Sequence, residues 1–244
     1  MTDQPLSGKS ALVTGGARRV GRGIALALAK AGADVAITFR TSEAEAAKTV
    51  REIENLGRRA LAVECDVRSE ASVRSAVAAT VGHFGRLDLV VNNAAVFESA
   101  PLDSLTLGQW DAVFETNARG PFLVAREALP HQRAVEGRID NIGSLGGIHA
   151  WAGHAHYCAS KAALHMLTQT MAKAFAPDVS VNCVAPGWIE MADDPSELAA
   201  HFADRTPMRR NGSVEDVAQA VLFFASGPHF VTGQVLAVDG GLGL

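Results

Sequence analysis

Tyr157 and Lys161, four residues apart in the run YCASK, carry the most legible chemistry in the chain. On a helix that spacing puts both side chains on one face. A neighbouring ammonium favours the phenolate, so Lys161 is expected to draw the pKa of Tyr157 down from its reference value near 10 toward a range useful for acid/base work at neutral pH. Upstream, Ser144 follows an apolar burst, where its hydroxyl can hydrogen-bond a reacting oxygen and stabilise its developing charge. Together the three side chains suit the addition or removal of a proton at a carbonyl or alcohol oxygen.

A second constellation, TGGARRVG from Thr14 to Gly21, leads into an apolar row through Ile24, Leu28 and Ala31. Strand, glycine turn and helix is the context of a dinucleotide pyrophosphate site. Gly15 can take the tight turn, Gly21 lets the helix approach the sheet, and the helix N-terminus offers unpaired N–H groups and a positive dipole end. An acid at the end of the second strand would signal a free ribose 2′-hydroxyl. The chain instead reads Phe39, Arg40, Thr41, Ser42 there, with Arg18 in the glycine turn. Two guanidiniums and hydroxyls suit a 2′-phosphate, so the expected cofactor is NADPH/NADP+.

These residues need a scaffold, and the sequence supplies a rhythm. Seven apolar bursts, ALVT (11–14), VAITF (35–39), ALAVE (60–64), LDLVV (87–91), IDNI (139–142), VSVNCV (179–184) and VLAV (235–238), read as strands separated by helical stretches. Ser42 with Glu45 and Thr106 with Gln109 are expected capping boxes, and Gly32, Gly57 and Gly85 expected helix stops. Alternation of this kind predicts an α/β fold: one Rossmann-type doubly wound domain over 1–244, a seven-stranded parallel sheet with helices on both faces, and ligands at the carboxyl ends of the strands. The least regular stretch, 185–212, holds one short helix expected over Ser196–Ala203 and is the expected substrate lid.

Composition narrows the partners. The chain has 244 residues, and 22 basic against 26 acidic side chains leave a net charge of −4, which gives no basic footprint for nucleic acid. Cys65, Cys158 and Cys183 are scattered and odd in number, so a reducing compartment is expected. Asp3, Pro5, Gly8 and Lys9 interrupt the start where a signal peptide needs an apolar run, and no later run reaches membrane-spanning length. The expected location is the cytoplasm. His149, His154 and His156 have no Cys, Asp or Glu among them, so no metal is expected.

Several motifs occur in one order: TGGARRVG, CDV at 65–67, NNAA at 92–95, Asn117 within FETNARG, Ser144 within NIGS, YCASK, Pro186–Gly187 and VDGG near the C-terminus. In combination they resemble the short-chain dehydrogenase/reductase family along nearly the whole chain. The resemblance implies a catalytic Ser144, Tyr157 and Lys161, extended by Asn117, which would keep a water in a proton relay. Tyr157 would be the proton donor in reduction and Lys161 would also hold the nicotinamide ribose. It implies further that Asp66 and Val67 face the adenine, that Asn92 and Ala94 line the cofactor, and that Pro186, Gly187 and Ile189 border the nicotinamide. The cofactor set thus comprises Gly15, Arg18, Arg19, Val20, Gly21, Arg40, Thr41, Ser42, Asp66, Val67, Asn92, Ala94, Tyr157, Lys161, Pro186, Gly187 and Ile189. The family's habit implies a homotetramer, or a homodimer, with the final strand at an interface.

One departure divides the substrate. Arg19 replaces the usual middle glycine, giving the TGxxxRxG form that resembles pteridine reductases, and Phe97 matches the aromatic that stacks on a pterin there. Ser144 stands where those enzymes typically carry Asp, and resembles instead the reductases of 3-oxoacyl thioesters and small ketones. A small carbonyl compound is the first expectation and a dihydropteridine the alternative, with Phe97, Ser144, Trp151 and Tyr157 as the substrate-facing set. In the lid, Glu190, Asp193 and Asp194 disfavour an anionic carrier protein, while Arg205, Arg209 and Arg210 offset them. A catalytically silent NADP(H) sensor is the non-enzymatic alternative, which an intact Ser144, Tyr157 and Lys161 disfavours.

Overall fold

The computed structural model describes residues 4–191 and 196–244, and each of the seven apolar bursts is a strand in it, with ends moved by at most two residues. The strands are β1 (Ser10–Val13), β2 (Asp34–Phe39), β3 (Ala60–Glu64), β4 (Leu89–Asn92), β5 (Arg138–Ile142), β6 (Ser180–Pro186) and β7 (Val235–Val238). Between them run α1 (Arg19–Lys30), α2 (Glu43–Asn55), α3 (Glu70–Phe84), α4 (Leu107–Phe114), α5 (Gly120–Arg133), α6 (Ala155–Phe175), α7 (Ser196–Arg205) and α8 (Val214–Ser226). All strand pairs are parallel and the order is β3-β2-β1-β4-β5-β6-β7. The direction of winding reverses between β1 and β4, which opens a crevice at their carboxyl ends.

Burial on both faces explains why these strands read as unbroken apolar runs rather than as alternations. Every residue of β1, β4 and β6 is buried. Successive residues point to opposite layers. Leu12, Ala36, Val90, Ile139 and Val181 lie side by side in register and pack with Val77, Leu123 and Met171 of α3, α5 and α6. One step along, Val13, Ile37 and Val91 face the opposite core, shared with Ile24 and Leu28 of α1 and Val221 of α8.

Helix ends follow local chemistry. Thr106 accepts from the Gln109 N–H while the Gln109 side chain accepts from the Thr106 N–H, so that box forms. The box expected at Ser42 does not: its backbone (φ −98°, ψ 57°) lies outside the extended cap geometry and its side chain makes no capping bond. Gly85 closes α3 in the left-handed region at φ 81°. In the lid, α7 runs two residues beyond the expected Ala203, while Asp193 and Asp194 lie outside the described residues.

Candidate active site

The glycine turn is clamped from the second half of the sheet. Gly15, at φ 62°, donates its N–H to Thr38 Oγ1 at 3.1 Å. Asn93 donates its side-chain amide to the carbonyls of Thr14 (2.9 Å) and Gly15 (3.1 Å), while the Asn93 and Ala94 N–H groups donate to Thr14 Oγ1. A Cβ at Gly21 would strike the Gly15 carbonyl and the Asn93 amide, so only glycine lets α1 start this close to the turn. The first turn of α1 is Arg19-Val20-Gly21-Arg22, without an acid, and Arg18 before it makes no side-chain capping bond among the described residues. Its N–H groups therefore meet no anion from their own helix. Arg18, Arg40 and Thr41 are exposed, Ser42 and Val20 half-buried, and Arg19 sits at φ 52°.

Two expected cofactor residues have side chains engaged within the protein. Asp66 pairs with Arg68 at 2.6 Å, and that hydrogen-bonded guanidinium holds its carboxyl down at about 2. Asn92 donates to Asn141 Oδ1 at 2.8 Å and is buried, so its side chain is committed to the sheet. Val67 packs on Gly120 at the start of α5.

At the carboxyl end of β5, Ser144 caps a short 3-10 turn, Leu145–Gly147, and its Oγ accepts the Gly146 N–H at 3.0 Å. Its hydroxyl lies near enough to Tyr157 to ease a charge on the phenol. Tyr157 and Lys161 lie in the first two turns of α6, where the Lys161 ammonium is 3% exposed, donates to the Ile142 carbonyl at 2.7 Å and stands 5.8 Å from the Tyr157 ring centre. Burial lowers the pKa of Lys161 to about 8. Burial also pushes the Tyr157 phenol above its ordinary value, with the Ser144 hydroxyl opposing it. The expected lowering of Tyr157 by Lys161 is therefore not what the structure shows. Desolvation of the phenolate outweighs an ammonium that burial itself weakens and that the Ile142 carbonyl engages.

Asn117 falls in a π-helical stretch, Glu115–Arg119, that joins α4 to α5, a distortion common at functional positions. Its Oδ1 accepts the Val96 N–H at 2.8 Å and its Nδ2 donates to the Val96 carbonyl at 2.9 Å and Ser160 Oγ at 3.0 Å. The side chain thus ties the loop after β4 to α6 beside Tyr157.

The family model described as Enoyl-(Acyl carrier protein) reductase matches residues 15–243. The chain is a short-chain dehydrogenase/reductase. It is 38% identical over 239 residues to a hydroxynaphthalene reductase of Aspergillus fumigatus, covering 91% of this chain and 87% of that one. It is 37% identical over 240 residues to a 3-oxoacyl-acyl-carrier-protein reductase of Staphylococcus aureus, covering 96% and 98%. A short chain dehydrogenase from Burkholderia cenocepacia, solved in complex with NADP, superposes with TM-score 0.92 at 39% identity, covering 98% of this chain and all (100%) of that one. A short-chain dehydrogenase/reductase from Serratia marcescens superposes equally well, with TM-score 0.92 at 36% identity and coverage of 98% and 100%.

In this short-chain dehydrogenase/reductase the crevice has a rim around Tyr157. Here it is aromatic. Phe97, 59% exposed, stacks on His154 with ring centres 4.7 Å apart and meets the Tyr157 ring edge-on at 4.8 Å. Trp151 lies nearly parallel to Tyr157 at 6.1 Å and covers Gly146 of the Ser144 turn. Across the crevice, Pro186 ends β6, Gly187 donates to the Val238 carbonyl, and Ile189 bridges to Gly212. Trp188 stacks on Phe202 of α7 at 4.2 Å. No group of three His, Cys, Asp or Glu able to hold a metal occurs among the described residues.

Asn93 and His165 belong to this site although sequence reasoning passed over them. The paired asparagines of NNAA hide which one reaches the glycine turn. His165 had a usable signal: with Tyr157 and Lys161 it completes an i, i+4, i+8 row along one face of α6.

Proposed function

We propose that this short-chain dehydrogenase/reductase reduces the carbonyl of a 3-oxoacyl thioester or another small ketone, with Tyr157 as proton donor. The cofactor is NADP(H). The residues fit it: the glycine turn leaves no room for a Cβ at Gly21, the N-terminus of α1 carries no anion of its own, and exposed Arg18 and Arg40 flank the place where a 2′-phosphate would lie. Arg40 directly follows β2, at the carboxyl edge of the sheet beside β3, whose end leads to Asp66. When bound, NADP(H) supplies the hydride that the carbonyl carbon receives.

The observation that carries the reading is the convergence of three side chains: Ser144 at the carboxyl end of β5, and Tyr157 with the buried Lys161 in the first two turns of α6, where burial favours the protonated phenol. A protonated phenol is the form that gives a proton to a carbonyl oxygen. Ser144 steadies that oxygen as charge develops on it. Lys161, with a proton that burial loosens, is suited to resupply the phenol and to hold a ribose hydroxyl. The side chain of Asn117 is spent on Val96 and Ser160, so a relay water here is held by its main chain.

Arg19 and Phe97 favour a second reading, reduction of a dihydropteridine, because an exposed aromatic beside Tyr157 can stack on a flat heterocycle. Exposed apolar side chains on α4, α5 and α6 (Leu107, Phe122 and Met166) and in and around β7 (Phe230, Leu236 and Leu244) support a homotetramer, for which light scattering is the check. No helix among the described residues is long and apolar enough to cross a membrane, and three free cysteines support a cytoplasmic place. The test is NADPH absorbance with a β-ketoacyl thioester, a simple diketone and a dihydropteridine side by side. Turnover of the ketones that Tyr157→Phe abolishes is the expected result. Equal rates in the variant refute the role of Tyr157, and turnover of the pterin alone establishes the second reading.

A further inference from the structure

We infer that His165 is a positioning residue for carbonyl reduction: its ring braces both ends of the turn that carries Ser144. The inference rests on the reductase reading above for its catalytic consequence, and on geometry alone for the brace. His165 is 7% exposed, and its Nε2 accepts the Ser144 N–H at 3.4 Å. The ring also packs beneath Gly147, three residues on, so one imidazole underlies the 3-10 turn Leu145–Gly147. With Nε2 accepting, Nδ1 carries the proton.

The turn is shaped around this ring. A Cβ at Gly147 would come within 2.6 Å of His165 Cε1, and one at Gly143 within 2.8 Å of Cδ2 and 2.7 Å of Cys183 Sγ. Glycine on both sides is what admits an imidazole under the loop. A leucine would fill the volume and leave the Ser144 N–H buried and unpaired, the more costly arrangement. Burial first, and the Lys161 ammonium second, lower the pKa of His165 to about 4, so the ring is the neutral acceptor the Ser144 N–H requires.

The catalytic consequence follows from where Ser144 stands. Its hydroxyl serves Tyr157 only while its backbone holds the cap geometry (φ −171°, ψ 152°) that lets Oγ also take the Gly146 N–H. A misplacement of about 1 Å at such a group can cost about a hundredfold in rate.

The experiment uses the full chain and three forms: unsubstituted, His165→Leu, and His165→Gln, whose amide oxygen falls near the place of Nε2. Amide hydrogen exchange over residues 143–149 is read together with NADPH oxidation using a simple diketone. In His165→Leu the expected results are exchange faster by about tenfold and kcat lower by about tenfold, with the KM for NADPH held within about twofold. His165→Gln is expected to restore both to within about threefold. Unchanged exchange in His165→Leu overturns the brace. Faster exchange with kcat intact overturns the positioning role, as does His165→Gln falling as far as leucine. If His165→Leu does not fold, His165→Asn, too short to reach the Ser144 N–H, takes its place with the same expectations. If the unsubstituted chain oxidises NADPH with none of the diketone, the thioester and the dihydropteridine, the reductase reading fails, the positioning role falls with it, and exchange alone decides the brace.

Discussion

Replacing Asp140 by asparagine should stabilise the protein, and by more at neutral than at acid pH. Asp140, in the middle of β5, is 1% exposed, and neither carboxylate oxygen has a hydrogen-bond partner among the described residues. Arg138 on the same strand face eases its charge, but that guanidinium is spent on the carbonyls of Phe224 and Gly227. The other titratable neighbour, the buried Cys183 thiol, is itself pushed up to about 12 and offers no positive charge. Burial therefore raises the Asp140 carboxyl well above the usual carboxylate range. In the unfolded chain the group ionises near pH 4, so above that pH the folded state binds one proton more than the unfolded state. Stability is favoured below the unfolded value and lost as pH rises, by about 1.4 kcal/mol per pH unit up to the folded value. Between pH 5 and pH 7 the loss reaches about 3 kcal/mol if the carboxyl stays protonated throughout, or about 5–10 °C in Tm for a chain of this size. The amide introduced by Asp140→Asn does not titrate, so its burial cost is the same at every pH. The assay is thermal unfolding of both proteins by circular dichroism at pH 5, 6 and 7. The gap in favour of Asp140→Asn should widen steadily, and parallel Tm curves would refute the reasoning.

Two further substitutions test the cofactor cleft. Gly21→Ala forces a methyl into the Gly15 carbonyl and the Asn93 amide, an overpacking of about 1–3 kcal/mol that should appear as roughly a tenfold weaker NADPH Kd by calorimetry. An unchanged Kd would mean that the turn yields freely. Arg40→Asp removes the guanidinium proposed to meet a 2′-phosphate and adds an acceptor for a ribose hydroxyl, so the ratio of NADPH to NADH affinity should fall by at least about tenfold. A constant ratio would make Arg40 a solvated surface residue.

Much of the scaffold was legible because its physics is local or one-dimensional. Parallel strands buried on both faces leave apolar runs that any reading finds, and Tyr157 and Lys161 share a helix face by spacing alone. Thr106 formed its box and Ser42 did not, because a cap needs extended dihedrals that sequence does not display. What escaped was set by burial. The phenol of Tyr157 moves up because α6 is desolvated, a property of the packed molecule. Asn92 and Asn93 look alike in the chain, yet one serves the sheet and the other clamps the glycine turn. Asp140 and His165 are polar letters beside apolar ones, and only their enclosure shows that one lacks a hydrogen-bond partner while the other holds the Ser144 N–H.

The place of β1 in the sheet bears on how the molecule comes into being. β1 is flanked by β2, some twenty residues on, and by β4, nearly eighty residues on, and Ser10 is tied to Asp88 and Thr14 to Asn93 across that same span. During vectorial synthesis the glycine turn emerges from the ribosome long before the asparagine that fastens it. A nascent chain ending after β3 holds the whole phosphate motif and the Thr38 bond to Gly15, but not the Asn93 clamp. Such long-range pairing slows folding, since loop closure must precede any gain from contact. Nucleotide capture is thereby deferred until the two halves of the sheet have met across the β1–β4 seam, so that binding reports the completed domain rather than its first βαβ unit.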